Sequence, residues 1–297
     1  MRARGKYPIL FILLISIVLF ISACSQTTSG ATTSNLSPLD VLQKSADAMK
    51  QLKSSHVEIK SNSNVQTSGG STSFSNGTPT ASNSNFVLTA SGDQTLPNAE
   101  QLNVNINTVK LTEILQGDKI YVQNSQGQWY VLNKSDFENA STNPFSGISF
   151  DQNTLLGALE HIKLDDHGTE ALNGKSLRHL TATLDKEAVK EILTQNPQLK
   201  SAFGQQDVDT LLNNTRKFLS TVDVWIDEQQ FYVHRTQLKL NLDANTSTIG
   251  NGAPSNVATT LDTTIDLSNF NAPVTINPPA NATPTNNPAA ILGVGRS

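Results

Sequence analysis

Along residues 41–52, apolar side chains recur at Val41, Leu42, Ala46, Met49 and Leu52, the spacing of one helical face. Ser37 is placed to cap that helix, Pro38 suits its first turn, and Asp40 can answer the cap while complementing the helix dipole. After Lys53-Ser54-Ser55 the period drops to two: Val57 and Ile59 alternate with His56, Glu58 and Lys60, which predicts a strand. Residues 61–84 are polar and Gly-containing and read as a loop. Strand signals resume at 86–90, then at Leu102, Val104 and Ile106, which alternate with asparagines. Val109, Leu111 and Leu115 take the opposite parity. A one-residue slip turns every side chain to the other face, so the strand bends or ends near Asn107-Thr108. Gly117-Asp118 and Ser125-Gln126-Gly127 punctuate strands at 119–123 and 128–132, the second carrying Trp129 and Tyr130, and the whole stretch predicts an antiparallel meander.

Helical spacing returns at Leu155, Leu156, Leu159 and Ile162, after the candidate cap Asp151. Asn173-Gly174, the dipeptide best suited to a tight hairpin, predicts a strand pair whose second member is 177–184. Asp185 caps a helix with Ala188, Val189, Ile192 and Leu193 on its apolar face, and this helix stops before Pro197. Val208, Leu211, Leu212, Thr215 and Leu219 keep the same rhythm and predict a further helix. The last strands fall at 221–227, 231–243 and 257–267, with Asp227-Glu228-Gln229-Gln230 as the turn between the first two. One helix, a large antiparallel sheet and helices inserted partway along make an α+β order, not the alternation that builds a parallel sheet.

The chain's two ends lack such periodicity. Met1 to Lys6 is cationic through Arg2, Arg4 and Lys6, and the following residues to Ile21 are apolar apart from Ser16, a secretory signal spanning residues 1–23. Its apolar run of about a dozen residues falls short of the ~20 that a spanning helix needs. Ile21-Ser22-Ala23-Cys24 resembles the lipobox of bacterial lipoproteins, which implies that the Cys24 sulfur takes a diacylglyceryl group and becomes the first residue after cleavage. Cys24 is the only cysteine, so an exported thiol would have no disulfide partner, and a lipid is its expected fate. Two or three acyl chains hold firmly where one holds marginally, at about 0.8 kcal/mol per buried methylene. The expected location is extracytoplasmic, lipid-anchored to the cell membrane. Residues 25–36, rich in Ser, Thr, Gly and Gln, read as a flexible tether holding the domain roughly 20 Å from the bilayer. From Ala272 onward Pro273, Pro278, Pro279, Pro284 and Pro288 lie amid Asn, Ala and Thr, a composition expected to stay disordered through residue 297. A single domain over 37–271 remains.

Charge and motif content exclude several functions. Loss of the leader takes the formal charge from −4 to about −7, with the remaining lysines and arginines scattered among acids, so neither nucleic acid nor anionic headgroups are expected partners. The nearest polar constellation is His161, Asp165, Asp166 and His167. It follows a predicted helix end and runs into Gly168, which reads as a solvated turn with a dipole-friendly histidine, not a metal site. Gly-x-Ser-x-Gly elbows, phosphate loops and two-histidine helix motifs do not occur. His56, His179 and His234 lie in predicted strands without a local partner, and Trp129 and Trp225 read as packing residues. No enzyme, cofactor or metal is expected.

The helix-strand opening from Val41 to Ile59, the unit Gly117-Asp118-Lys119-Ile120-Tyr121-Val122 with Trp129-Tyr130, the unit Val224-Trp225-Ile226-Asp227 with Val233 and Arg235, and the close Phe270-Asn271-Ala272-Pro273-Val274 resemble the LppX/LprAFG lipoproteins. The resemblance covers most of Leu39 to Ile276, and outer-membrane lipoprotein carriers of the LolA/LolB kind share the general architecture. It implies a curved, half-barrel antiparallel sheet whose concave face is covered by helices, enclosing an apolar cavity for the acyl chains of a lipid or glycolipid. Such a protein carries or presents lipid, with tails moving from bilayer to protein without crossing water. The candidate lining is Leu102, Val104, Ile106, Val122, Leu155, Leu159, Val224, Ile226, Leu238 and Leu240. An apolar face seals a solid core as readily as it lines a void. The alternative is therefore a surface sensor or protein-interaction module with a filled core, its partner protein unspecified by the sequence.

Overall fold

The computed structural model describes residues 34–68, 82–135, 162–195, 212–245 and 256–286. Helix α1 (Pro38–Lys50) starts as its sequence dictates: Asp40 N donates to Ser37 Oγ, and Ser37 N donates to the Asp40 carboxylate, which closes a capping box with Pro38 at the first position. A first meander follows, β1 (Ser54–Ser68), β2 (Ser82–Thr95), β3 (Ala99–Ile106), β4 (Val109–Gln116), β5 (Lys119–Gln123) and β6 (Trp129–Asn133). The second comprises β7 (Ile162–Leu172), β8 (Lys175–Leu184), helix α2 (Lys186–Gln195), β9 (Thr215–Ile226), β10 (Val233–Asn245) and β11 (Asn256–Ser268), and β12 (Thr283–Pro284) ends the described chain. All belong to one twelve-stranded sheet, ordered β12-β6-β5-β4-β3-β2-β1-β11-β10-β9-β8-β7. Pairing of β1 with β11, from His56 opposite Ser268 to Ser68 opposite Asn256, joins the two meanders.

Tight turns set the register. Asn173 (φ 51°) and Gly174 (φ 77°) connect β7 to β8 with Leu172 opposite Lys175. Asn107 (φ 53°) and Thr108 connect β3 to β4, so the parity change seen in the sequence is what a two-residue hairpin requires: Ile106 faces Val109 and Val104 faces Leu111. The sheet is curved, and Gly92 marks a close approach in it. A Cβ there would lie 1.8 Å from the Gln101 carbonyl oxygen on β3, so only glycine fits.

One face of the sheet is predominantly apolar. Rows of directly opposed residues run Ile59–Ala90–Val104–Leu111 in one half and Ile265–Thr236–Val224–Leu180 in the other. On this face Val41 and Leu42 of α1 and Ala188 of α2 join Leu180, Ala182, Leu184, Val222, Val224, Ile226 and Val233 in one core cluster. A second cluster, Leu88, Ala90, Leu102, Val104, Leu111, Ile120, Val122 and Leu132, is drawn entirely from strands β2–β6.

Several expectations are corrected. Residues 61–68 and 82–84, read as loop, extend β1 and β2, because the ladder to β11 and the buried Ser61–Thr263 hydroxyl contact of 2.7 Å supply what apolar side chains do not. Thr215 and Leu219, read as helical, lie in β9, where pairing with β10 overrides their spacing; Leu212 stands in a short helical turn just before it. Ile162 opens β7 instead of closing a helix, and the rest of that predicted helix, 151–161, lies outside the described residues. Past Ala272 the chain is ordered to residue 286: Ala272 O accepts from Ser54 Oγ at 2.6 Å, and β12 pairs in parallel with β6, Thr283 opposite Tyr130. Backbone pairing thus holds a segment whose composition suggested disorder. Within the predicted tether, Ser34–Leu36 is likewise held by side chains of the domain, as detailed below.

Candidate functional site

Of the ten predicted lining residues, Leu155 and Leu159 lie outside the described residues, and the other eight stand on the apolar face. Leu102, Val104 and Val122 belong to the β2–β6 cluster, with Ile106 packed against it. Val224 and Ile226 belong to the cluster beneath α1 and α2, with Leu238 packed against it, and Leu240 packs beside Leu212, Leu242 and Ala244. The predicted set therefore shares one surface but falls into separate groups along it. Two concavities bounded by described residues, of about 320 and 310 Å³, are lined mainly from the opposite, polar face; Val104 borders the first and Leu240 the second.

Two charged residues on the apolar face are deeply buried. Arg178 on β8 is 4% exposed and donates from Nε to Asp166 Oδ1 at 2.8 Å, from Nη2 to Asp166 Oδ2, and from Nη1 to Glu228 Oε1 at 3.0 Å. Its remaining N–H groups reach the carbonyls of Ser34 (3.2 Å) and Leu36 (3.3 Å), while Ser34 N donates to Glu228 Oε2 at 3.1 Å. Arg178 thus fastens the chain segment entering α1 onto the end of the sheet. The guanidinium holds the Asp166 carboxyl below its ordinary range through these hydrogen bonds.

The second is Glu113 on β4, opposite Leu102 of β3 and Val122 of β5 and only 6% exposed. Burial, reinforced by the negative charge of Glu100, pushes its carboxyl up to about 8. Among the described residues no donor hydrogen-bonds to it. Burial also raises the Glu100 carboxyl, while Lys134 pulls it back down. Sequence reasoning passed over both Arg178 and Glu113, although a signal existed: each occupies an apolar-parity position, Glu113 between Leu111 and Leu115, Arg178 two before Leu180.

The predicted constellation at 161–167 is not a solvated turn. His161 lies outside the described residues, and Asp165, Asp166 and His167 lie within β7, where a bulge between Asp166 and Gly168 sends Asp166 to the apolar face and His167 to the other. His167 stacks on His179 (4.4 Å), which stacks on Trp225 (4.2 Å), and Arg235 lies over Trp225 at 6.0 Å while pairing with Asp266 at 2.6 Å. Trp225 therefore packs in a cross-strand ladder on the polar face, outside the core. His179 Nε2 meets Asp223 Oδ1 at 3.1 Å; Nδ1 lies 3.0 Å from Glu170 Oε2 but out of hydrogen-bond alignment. No group of three metal-ligating side chains occurs among the described residues. Nor, among them, is any helix long and apolar enough to cross a membrane.

These features define an open, curved antiparallel sheet with one continuous apolar face, packed by two helices in one half. The chain belongs to DUF6612, a family of unknown function whose model matches residues 37–286. No curated protein matches it. Among solved structures, it is similar to the lipoprotein LppX of Mycobacterium tuberculosis, at 20% identity and a TM-score of 0.43 over 81% of this chain and 100% of that one. LprF from Mycobacterium bovis matches at 18% identity and a TM-score of 0.36, over 82% and 99% of the two chains. An outer membrane lipoprotein-sorting protein domain from Vibrio parahaemolyticus matches at 9% identity and a TM-score of 0.23, over 79% and 93%.

Proposed function

We propose that this protein is a lipoprotein, anchored to the membrane through an acylated Cys24, that binds the acyl chains of a lipid or glycolipid on the apolar face of its sheet and carries or presents them in the cell envelope. The apolar face is the concave side, and it performs no catalysis. One observation carries the reading: this face runs across the sheet, yet α1 and α2 pack the β7–β10 half, and the β2–β6 cluster contains strand side chains alone among the described residues. That strand face is apolar in both halves of the sheet, and burying an acyl chain against it gains about 0.8 kcal/mol per methylene. With Ser34–Leu36 fastened to the domain, the length of chain between Cys24 and Ser34 spans at most ~30 Å, which keeps the face within reach of the bilayer.

The full chain carrying Cys24→Ala, purified without detergent and extracted with organic solvent, is expected to release non-covalent lipid near one equivalent by mass spectrometry. Lipid-free protein that also fails to take up lipid from vesicles would sink the proposal. A second reading, an envelope sensor or protein-interaction module with a filled core, is favoured by the near-complete burial of Leu102, Val104 and Val122 (6, 1 and 3% exposed). Capture of a defined envelope protein by the lipid-free chain is the result that reading requires.

A further inference from the structure

Glu113 occupies a position that the alternation of β4 reserves for an apolar residue. Leu102 and Val122 stand directly opposite on the flanking strands, and the next same-face positions on β4 are Leu111 and Leu115. Glu113 is more than nine-tenths buried as a residue, and its carboxyl receives no hydrogen bond from any described residue. A buried polar group without a partner is destabilising, and replacement by an apolar residue of similar shape would remove the penalty. Arg178, the other deeply buried charge on this face, shows the contrast, since its guanidinium is satisfied by two carboxylates and two carbonyls. We propose that Glu113 is a binding residue that donates its carboxyl hydrogen to the ester carbonyl of an acyl lipid lying on the β2–β6 half of the face.

The inference rests on the lipid-binding reading and names the ligand chemistry: an acyl ester, apolar along its length with one acceptor to meet one donor. The surroundings keep the carboxyl in its donating form. On the same face β3 brings Glu100, whose negative charge opposes ionisation of Glu113, and β2 brings the neutral Gln94 beside Glu100. Lys134, beyond β6, acts on Glu100. The β5 neighbours Ile120 and Val122 carry no charge, and neither does any residue of the segment 273–286 that ends in β12. An amine-bearing lipid would call for an ionised acid, which this setting disfavours.

The test uses the full chain carrying Cys24→Ala and two fluorescent probes of equal length, a diacylglycerol and a plain hydrocarbon with the same fluorophore, titrated at pH 6 and pH 9. The expected result is diacylglycerol binding about tenfold tighter at pH 6 than at pH 9, with hydrocarbon binding unchanged between them. Glu113→Gln, whose amide still donates, should lose that pH dependence. Glu113→Leu should lose about tenfold for the diacylglycerol alone. Equal ester binding at both pH values, or a pH dependence that survives in Glu113→Gln, overturns the role of Glu113 while leaving lipid binding intact; should Glu113→Leu fail to fold, the pH comparison with Glu113→Gln still decides. Failure of the unsubstituted Glu113 protein to bind either probe overturns the lipid-binding reading itself, and this inference with it.

Discussion

Arg178 and Asp166 stand on the apolar face of adjoining strands, Nε of the one 2.8 Å from Oδ1 of the other, and the same guanidinium holds the carbonyls of Ser34 and Leu36. Desolvation of such a charge is tolerable only while its partners remain. Arg178→Met leaves Asp166 and Glu228 without their cation and should destabilise the fold by about 3–5 kcal/mol in denaturant titration. Asp166 is held below its ordinary value of 3.8, so its contribution is present above that pH and disappears as pH falls through the lower folded value. Acid titration of stability should therefore lose its Asp166 component in Arg178→Met. Limited proteolysis ahead of Ser37 should quicken in the same variant.

Glu113 gives the opposite sign. Its folded carboxyl is raised from 4.5 to about 8, so folding is least penalised below pH 4.5 and loses stability as pH climbs towards 8. The upper bound of that loss is roughly 5 kcal/mol at about 1.4 kcal/mol per pH unit. Glu113→Gln should flatten the profile and be more stable than wild type at pH 9 in thermal unfolding. Parallel curves for the two proteins between pH 5 and 9 would contradict the burial of an unpaired acid here.

The contrast between well-read and misread segments follows from where the determining interactions lie. The capping box of α1 and the Asn173-Gly174 hairpin are set by residues within four positions of one another, and both were legible. Strand character at 61–68 depends on β11, some two hundred residues away, and nothing in Ser-Asn-Ser-Asn announces it. Thr215 and Leu219 fit a helical period, but β10 supplies a ladder that the period cannot reveal. For the candidate site, parity was sufficient to place Leu102, Val104, Ile106, Val122, Val224, Ile226, Leu238 and Leu240 on one face. Parity could not assign them to separate clusters, because that depends on where α1 and α2 cross the sheet. Charged residues at apolar parity, Glu113 and Arg178, were the legible signal left unused.

Gly92 and Gly174 should respond differently to alanine. At Gly174 nothing lies within 4 Å of the added Cβ, so the cost is that of the positive φ alone, about 1–2 kcal/mol. At Gly92 the methyl would meet backbone, the Gln101 carbonyl oxygen at 1.8 Å, and β2 must separate from β3. Gly92→Ala should cost roughly 3 kcal/mol or more and should speed hydrogen exchange of the β2–β3 amides, whereas Gly174→Ala should leave those amides protected.

Val224→Asp separates core from ligand surface in the helix-covered half. Val224 is 2% exposed, opposite Leu180 and Thr236, in the cluster that Val41 and Leu42 of α1 complete. A carboxylate there has apolar neighbours and no cation in its row, so the charge must either protonate or open the contact with α1. The expected outcome is loss of more than about 4 kcal/mol, visible as a much lower unfolding midpoint, because an unpaired buried charge belongs to the most damaging class of substitution. A folded Val224→Asp protein of near wild-type midpoint would mean that α1 leaves the sheet readily, and that the space beneath it, not only the β2–β6 half, is open to a ligand.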